Sequence, residues 1–169
     1  SLERVRSRKP VSWGNFCWGG TAKFDIDRLR RRTGRVSMMI ESKGGADAAW
    51  YCNVDVKKQT RYRLSGFIRT RKVGGGAGAQ LNVHQFGKTV VSKPVFADTD
   101  WTEVQVEFDS GPHAKIRINC IKRALIIVTQ NSPRGTCNVG LQVFESVKTY
   151  VSRGSCLIAI INFDNTNRG

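Results

Sequence analysis

Two histidines, His84 and His113, are the only imidazoles available for proton transfer near neutral pH. A Ser–His–Asp arrangement would need one of them, and neither sits in a recognisable nucleophile motif. His113 follows Gly111 and Pro112, a turn sequence. His84 falls on the polar side of an alternating segment, where it can hydrogen-bond a ligand or stand in solvent. Glu103 and Glu107 are paired carboxylates on one face of one strand. Four residues at strand rise separate them by about 13 Å, wider than the spacing used in glycoside hydrolysis. Gly87, Lys88 and Thr89 have the ending of a phosphate-binding loop, but the upstream glycine position holds Asn82 and no strand–loop–helix context surrounds it. The GGGAG run at 74–78 lacks a dinucleotide-fold setting and reads as a flexible loop. No catalytic constellation emerges, so the chain is expected to bind rather than to catalyse.

The residues suited to binding are aromatic and polar side chains interleaved with apolar ones. Over 46–56, Trp50, Cys52, Val54 and Val56 alternate with Tyr51, Asn53 and Asp55. Over 61–70, Tyr62, Leu64 and Ile68 alternate with Arg63, Phe67 and Arg69. Trp50, Tyr62 and Phe108 share parity with aliphatic neighbours and are expected in the core. Tyr51 and Phe67 have the opposite parity. A sugar ring offers apolar C–H faces that stack on aromatic planes, and hydroxyls that need fixed donors and acceptors. Tyr51, Arg63, Phe67, Gln80, Asn82 and His84 supply both, with Trp18 and Trp101 at the rim. These eight are the candidate carbohydrate-binding residues. Arg63 and Arg69 favour an acidic or sulfated glycan. The competing arrangement, with several of these residues on separate sheets or under loops, stays open at this point.

Strands must position that face. Alternation predicts strands at 21–25, 36–42, 46–56, 61–70, 79–84, 101–109 and 114–120, separated by Gly/Pro/Asp connections. No amphipathic helix is evident. Short strands about ten residues apart predict an all-β, two-sheet antiparallel sandwich. Residues 1–12 read as a basic flexible arm and 13–120 as the sandwich. Residues 121–169 form a divergent C-terminal segment with weaker strand signals at 125–129, 141–144 and 157–163.

With 169 residues, the chain is long enough for one domain with a real core. No apolar run approaches the length of a membrane helix, so membrane insertion is not expected. The net charge of +15 is uneven: +7 in residues 1–35, +2 in 36–109 and +6 in 110–169. Basic ends of this kind also fit a polyanion or nucleic-acid binder. Steep salt dependence would mark that alternative. A structural or adhesion sandwich with no small ligand is the third reading. Five cysteines include no CxxC pair, which argues against structural zinc. Cys52 and Cys120 occupy apolar strand positions and read as buried thiols.

The segment GADAAWYCNVDVKKQTRYRLSGFIRT resembles the strand–turn–strand core of jelly-roll carbohydrate-binding modules, the kind appended to xylanases and cellulases. The matching positions are Trp50-Tyr51, Val54, Val56, then Tyr62, Leu64, Ser65 and Phe67. DTDWTEVQVEFDSG, from Asp98 to Gly111, is similar to the family's Trp-containing strand, and WGGTAKFDID fits its opening portion. The resemblance covers about residues 13–120. It implies a jelly-roll sandwich without catalytic activity, binding a polysaccharide or oligosaccharide, within a larger extracellular, periplasmic or cell-surface protein. It also implies a structural calcium. The family's closing Gly-x-aromatic-Asp-Asp strand has no match after Cys120, so neither calcium nor another cofactor is expected.

Overall fold

The computed structural model describes residues 5–6, 9–32, 35–85, 88–123 and 154–165. Twelve strands appear among them: β1 (Val5–Arg6), β2 (Lys9–Pro10), β3 (Trp13–Gly20), β4 (Lys23–Asp27), β5 (Ser37–Ser42), β6 (Ala46–Asp55), β7 (Arg61–Val73), β8 (Gly78–Gln85), β9 (Lys88–Val91), β10 (Ala97–Asp109), β11 (Lys115–Arg123) and β12 (Gly154–Asn165). Among the described residues there is no helix, and none long and apolar enough to cross a membrane. Two five-stranded antiparallel sheets form a sandwich, with strand orders β3-β6-β11-β8-β9 and β10-β7-β12-β5-β4.

Period-two patterning builds the core between them. Met38 and Ile40, Trp50, Leu64 and Ile68, Leu81 and Val83, Phe108 and Ile118 are all buried in one cluster. Trp50, Tyr62 and Phe108 are core residues, as their parity predicts. Trp50 fastens one sheet to the other. Its Nε1 donates to the Met39 carbonyl at 3.1 Å, and its ring meets Phe24 edge-on with centroids 5.4 Å apart.

The 56–60 connection decides where the candidate site residues go. β6 pairs with β3 and β11, whereas β7 pairs with β10 and β12. The chain therefore crosses from one sheet to the other between Asp55 and Arg61, instead of closing a hairpin. The Tyr62 hydroxyl accepts the Lys57 amide at 2.9 Å, and Ser110 Oγ accepts the Thr60 amide at 3.0 Å while donating to the Lys57 carbonyl at 2.7 Å. Consequently, the polar sides of β6 and β7 face opposite ends of the sandwich's short dimension.

β3 covers the glycine-rich WGNFCWGG run, which carries no alternation signal in the sequence, and Trp13 at its start is buried. Within the segment expected to be a flexible arm, β1 and β2 pair with each other, and Pro10 is buried. The boundary expected at residue 120 falls inside β11, which runs on to Arg123. β12 then lies between β7 and β5, with Ile158 opposite both Ile68 and Met38. The apolar run 156–161 is continuous in the sequence, so no alternation marks its register. The strand signals at 125–129 and 141–144 lie outside the described residues.

Candidate functional site

The outer face of the β3-β6-β11-β8-β9 sheet is built from three cross-strand rows. The central row runs Gly14, Tyr51, Asn119, Asn82, Val91. One flanking row contains Asn53, Arg117 and His84. The other contains Phe16, Ala49, Ile121 and Gln80. Because side chains alternate across a pleated strand, all of these project away from the core. Ala49, Gln80, Asn82, Asn119 and Ile121 are nevertheless buried, while Phe16, Asn53, His84 and Arg117 are exposed.

Tyr51 is held in a fixed pose. Its ring leans over β3 at Gly14, where an added Cβ would lie 2.4 Å from Tyr51 Cζ. The Arg117 guanidinium carbon stands 4.8 Å from the ring centroid, and Arg117 Nε donates to Asn53 Oδ1 at 3.2 Å. A cation over an aromatic face is attracted by the ring quadrupole. Arg117 and Asn53 thus form an exposed donor–acceptor pair beside a half-buried aromatic ring. Two cross-strand ion pairs stand at the ends of this strand pair, Lys115 with Asp55 at 3.4 Å and Arg123 with Asp47 at 3.6 Å; the first is largely exposed and contributes little.

On the edge strand β3, Phe16 and Trp18 are the aromatic side chains most open to solvent among the described residues, 52% and 55% exposed. Their ring centroids are 5.2 Å apart in an edge-to-face contact. Trp18 is the extra residue of a bulge, because Cys17 pairs with Ala48 while Gly19 pairs with Asp47. Bulges of this kind re-aim a side chain out of the regular alternation.

Of the eight predicted residues, the structure brings Trp18, Tyr51, Gln80, Asn82 and His84 to this sheet. It places Arg63, Phe67 and Trp101 on the other one. The single shared face expected from the sequence is therefore corrected: the 56–60 crossover carries the polar side of β7 to the opposite surface. There, Arg63 is engaged by Glu107 through Nη2 at 2.8 Å and Nε at 3.1 Å, and Arg61 holds the other carboxylate oxygen at 2.9 Å. The Arg63 hydrogen bonds, assisted by the nearby Arg61 charge, hold the Glu107 carboxyl below its usual range. Phe67 lies under the Arg32 guanidinium, 4.8 Å from the ring centroid. Asp100 and Trp101 together oppose Arg69, since Thr99 pairs with Thr70 and Thr102 with Ile68.

A second correction concerns exposure. Gln80 and Asn82 are buried, whereas His84 is exposed. Gln80 Nε2 donates to the Ser92 carbonyl at 3.1 Å, and Asn82 Oδ1 accepts from Asn119 Nδ2 at 2.6 Å. These two residues form a satisfied polar floor, and Asn53, Arg117 and His84 are the exposed polar groups above the sheet. Sequence reasoning missed Phe16, Arg117 and the seat at Gly14. Arg117 was visible on the polar side of the 114–120 alternation, but only the pairing of β11 with β6 reveals its position over Tyr51.

Among the described residues, no group of three or more His, Cys, Asp or Glu is placed to hold a metal ion. Cys17, Cys52 and Cys120 form no disulfide among the described residues, and burial pushes the Cys52 thiol up.

No family model matches the sequence, and no curated protein matches it. Solved structures do. The CBM22-1 xylan-binding domain from Paenibacillus barcinonensis Xyn10C superposes with a TM-score of 0.55 at 15% identity, over 100% of this chain and 93% of that one. The fold is that of the jelly-roll carbohydrate-binding modules. TmCBM61, solved in complex with β-1,4-galactotriose, gives a TM-score of 0.51 at 10% identity over 92% of this chain and 89% of that one. The enzymatically active domain of bacteriophage CBA120 tailspike protein 4 gives 0.58 at 9% identity, over 92% of this chain but only 19% of that one. At such identities these jelly-roll likenesses speak to architecture alone.

Proposed function

We propose that this chain is a non-catalytic carbohydrate-binding module that holds a polysaccharide or oligosaccharide along the outer face of the β3-β6-β11-β8-β9 sheet. The observation that carries the reading is the fixed pose of Tyr51 between Gly14 and Arg117, with Asn53 and His84 beside it and the exposed Phe16–Trp18 pair at the edge. The aromatic faces stack on sugar C–H surfaces. Arg117 and His84 donate to hydroxyls, and the Asn53 side chain orients Arg117. The jelly-roll neighbours support the reading, since one is described as a xylan-binding domain and another is complexed with a galactotriose. The module serves a larger extracellular, periplasmic or cell-surface protein. The tailspike match, which takes in a small share of that chain, is consistent with such a fold being one part of a longer protein.

Affinity gels containing xylan, β-1,4-galactan or β-glucan test the proposal. Retardation in at least one neutral gel, little changed between low and high salt, is expected. Absence of retardation in every neutral gel, with binding only to nucleic acid and only at low salt, would establish the polyanion reading instead.

A further inference from the structure

We propose that the opposite surface carries a second, independent site: a groove between the β4–β5 turn and the β7/β10 pair that takes the carboxylate or sulfate group of an acidic sugar chain. The groove encloses about 450 Å³ and is lined by Arg30, Arg69, Arg71, Asp98 and Asp100 with two threonines.

The turn after β4 is shaped to deliver its arginines there. Asp27 Oδ1 accepts the amides of Leu29 and Arg30, each at 2.8 Å, and Ser37 Oγ donates to the Arg30 carbonyl at 2.7 Å. From the same turn Arg32 reaches over β5 and β12 to cover Phe67 on β7. Arg69 and Arg71 lie on one side of β7, about 7 Å apart at strand rise.

The carboxylates in the groove have different standing. Asp98 accepts the Lys72 amide, at a residue whose φ of 53° is left-handed, so it is fastened to the frame. Asp100 pairs with Arg69 at 3.4 Å but is 82% exposed, and an exposed pair of that kind contributes little. Arg71 has no ion pair among the described residues. A guanidinium fork matches a carboxylate or sulfate through two parallel hydrogen bonds. Asp98 and Asp100 beside it suit the hydroxyls that separate the anionic groups of a sugar polymer. A DNA backbone offers no such hydroxyls, and its phosphates are repelled by both carboxylates. The mixed lining therefore favours a hydroxyl-bearing acidic glycan over a phosphodiester chain.

Titration calorimetry of the full chain tests this against oligogalacturonate, sulfated dextran, neutral xylo-oligosaccharide and single-stranded DNA. Arg30→Gln, Arg71→Gln and Tyr51→Ala variants are compared, with thermal melts as a fold control. The chain should bind at least one acidic glycan with an affinity that falls as salt rises. Arg71→Gln and Arg30→Gln should each weaken that binding about tenfold, and Tyr51→Ala should leave it intact. The two acidic ligands separate a carboxylate from a sulfate preference. The proposal is overturned if neither acidic glycan binds at low salt, if the arginine variants bind like wild type, or if Tyr51→Ala alone abolishes binding. DNA bound more tightly than both glycans would also overturn it. None of these outcomes bears on neutral-sugar retention, which tests the Tyr51 face separately.

Discussion

The ring of Tyr51 rests on the bare Cα of Gly14: a methyl group at position 14 would stand 2.4 Å from Tyr51 Cζ and 2.6 Å from its hydroxyl. Cβ atoms do not approach carbon that closely, so Gly14→Ala must shift the ring from its seat against β3. The side chain at risk is the proposed stacking platform, while the sandwich core lies on the other side of β6. Gly14→Ala should therefore lower neutral-glycan affinity nearly as much as Tyr51→Ala. The chemical-denaturation midpoint should shift far less than for a core truncation, and paired calorimetry and urea titration check both.

Floor and ligand contacts on the same sheet should respond differently to truncation. Asn119→Ala removes the donor to Asn82 Oδ1, leaving a buried acceptor unsatisfied at a cost of about 1–3 kcal/mol. His84 is exposed, so His84→Ala should weaken glycan binding with little loss of stability. Equal stability losses in the two variants would count against the division drawn between them.

Trp50 tests what holds the sheets together. It is 1% exposed, packs edge-on against Phe24 and donates across the sandwich to Met39. Trp50→Ala should cost about 3–5 kcal/mol through the cavity it leaves, read as a lowered urea midpoint. Trp50→Phe should recover most of the packing but leave the Met39 carbonyl without its donor.

The strand pattern and the core were legible because one face of each strand is buried, which forces alternation. Trp50, Tyr62, Leu64, Val104 and Phe108 follow from parity alone. Sheet membership was not legible. The turn after Asp55 has a composition that suits a hairpin or a crossover equally well, and the difference depends on long-range pairing of β6 with β11 and of β7 with β10. That one ambiguity moved Arg63, Phe67 and Trp101 to the wrong surface. β3 escaped notice because glycines and exposed aromatics on an edge strand break the period of two. Burial of Gln80 and Asn82 was hidden too, since a polar side chain on the outer parity can be satisfied by neighbours instead of water.

The Arg61–Glu107–Arg63 cluster predicts a response to acid. The Glu107 carboxyl is lowered mainly by its hydrogen bonds from Arg63. A carboxyl whose folded pKa is depressed contributes stability above its unfolded value, and loses it as pH falls through the folded one. Glu107→Gln should therefore narrow its stability gap from wild type on acidification from neutral pH to below the ordinary carboxylate range. Urea midpoints at several pH values check this; a gap that widens in acid would refute the assignment.

The most direct test of the sugar-binding account is the affinity of Tyr51→Ala for a neutral β-1,4-linked oligosaccharide that the wild-type chain retains, measured by calorimetry beside its melting temperature. Loss of the stacking ring should weaken binding about tenfold or more with the melt nearly unchanged. Wild-type affinity in a folded Tyr51→Ala protein would contradict the account.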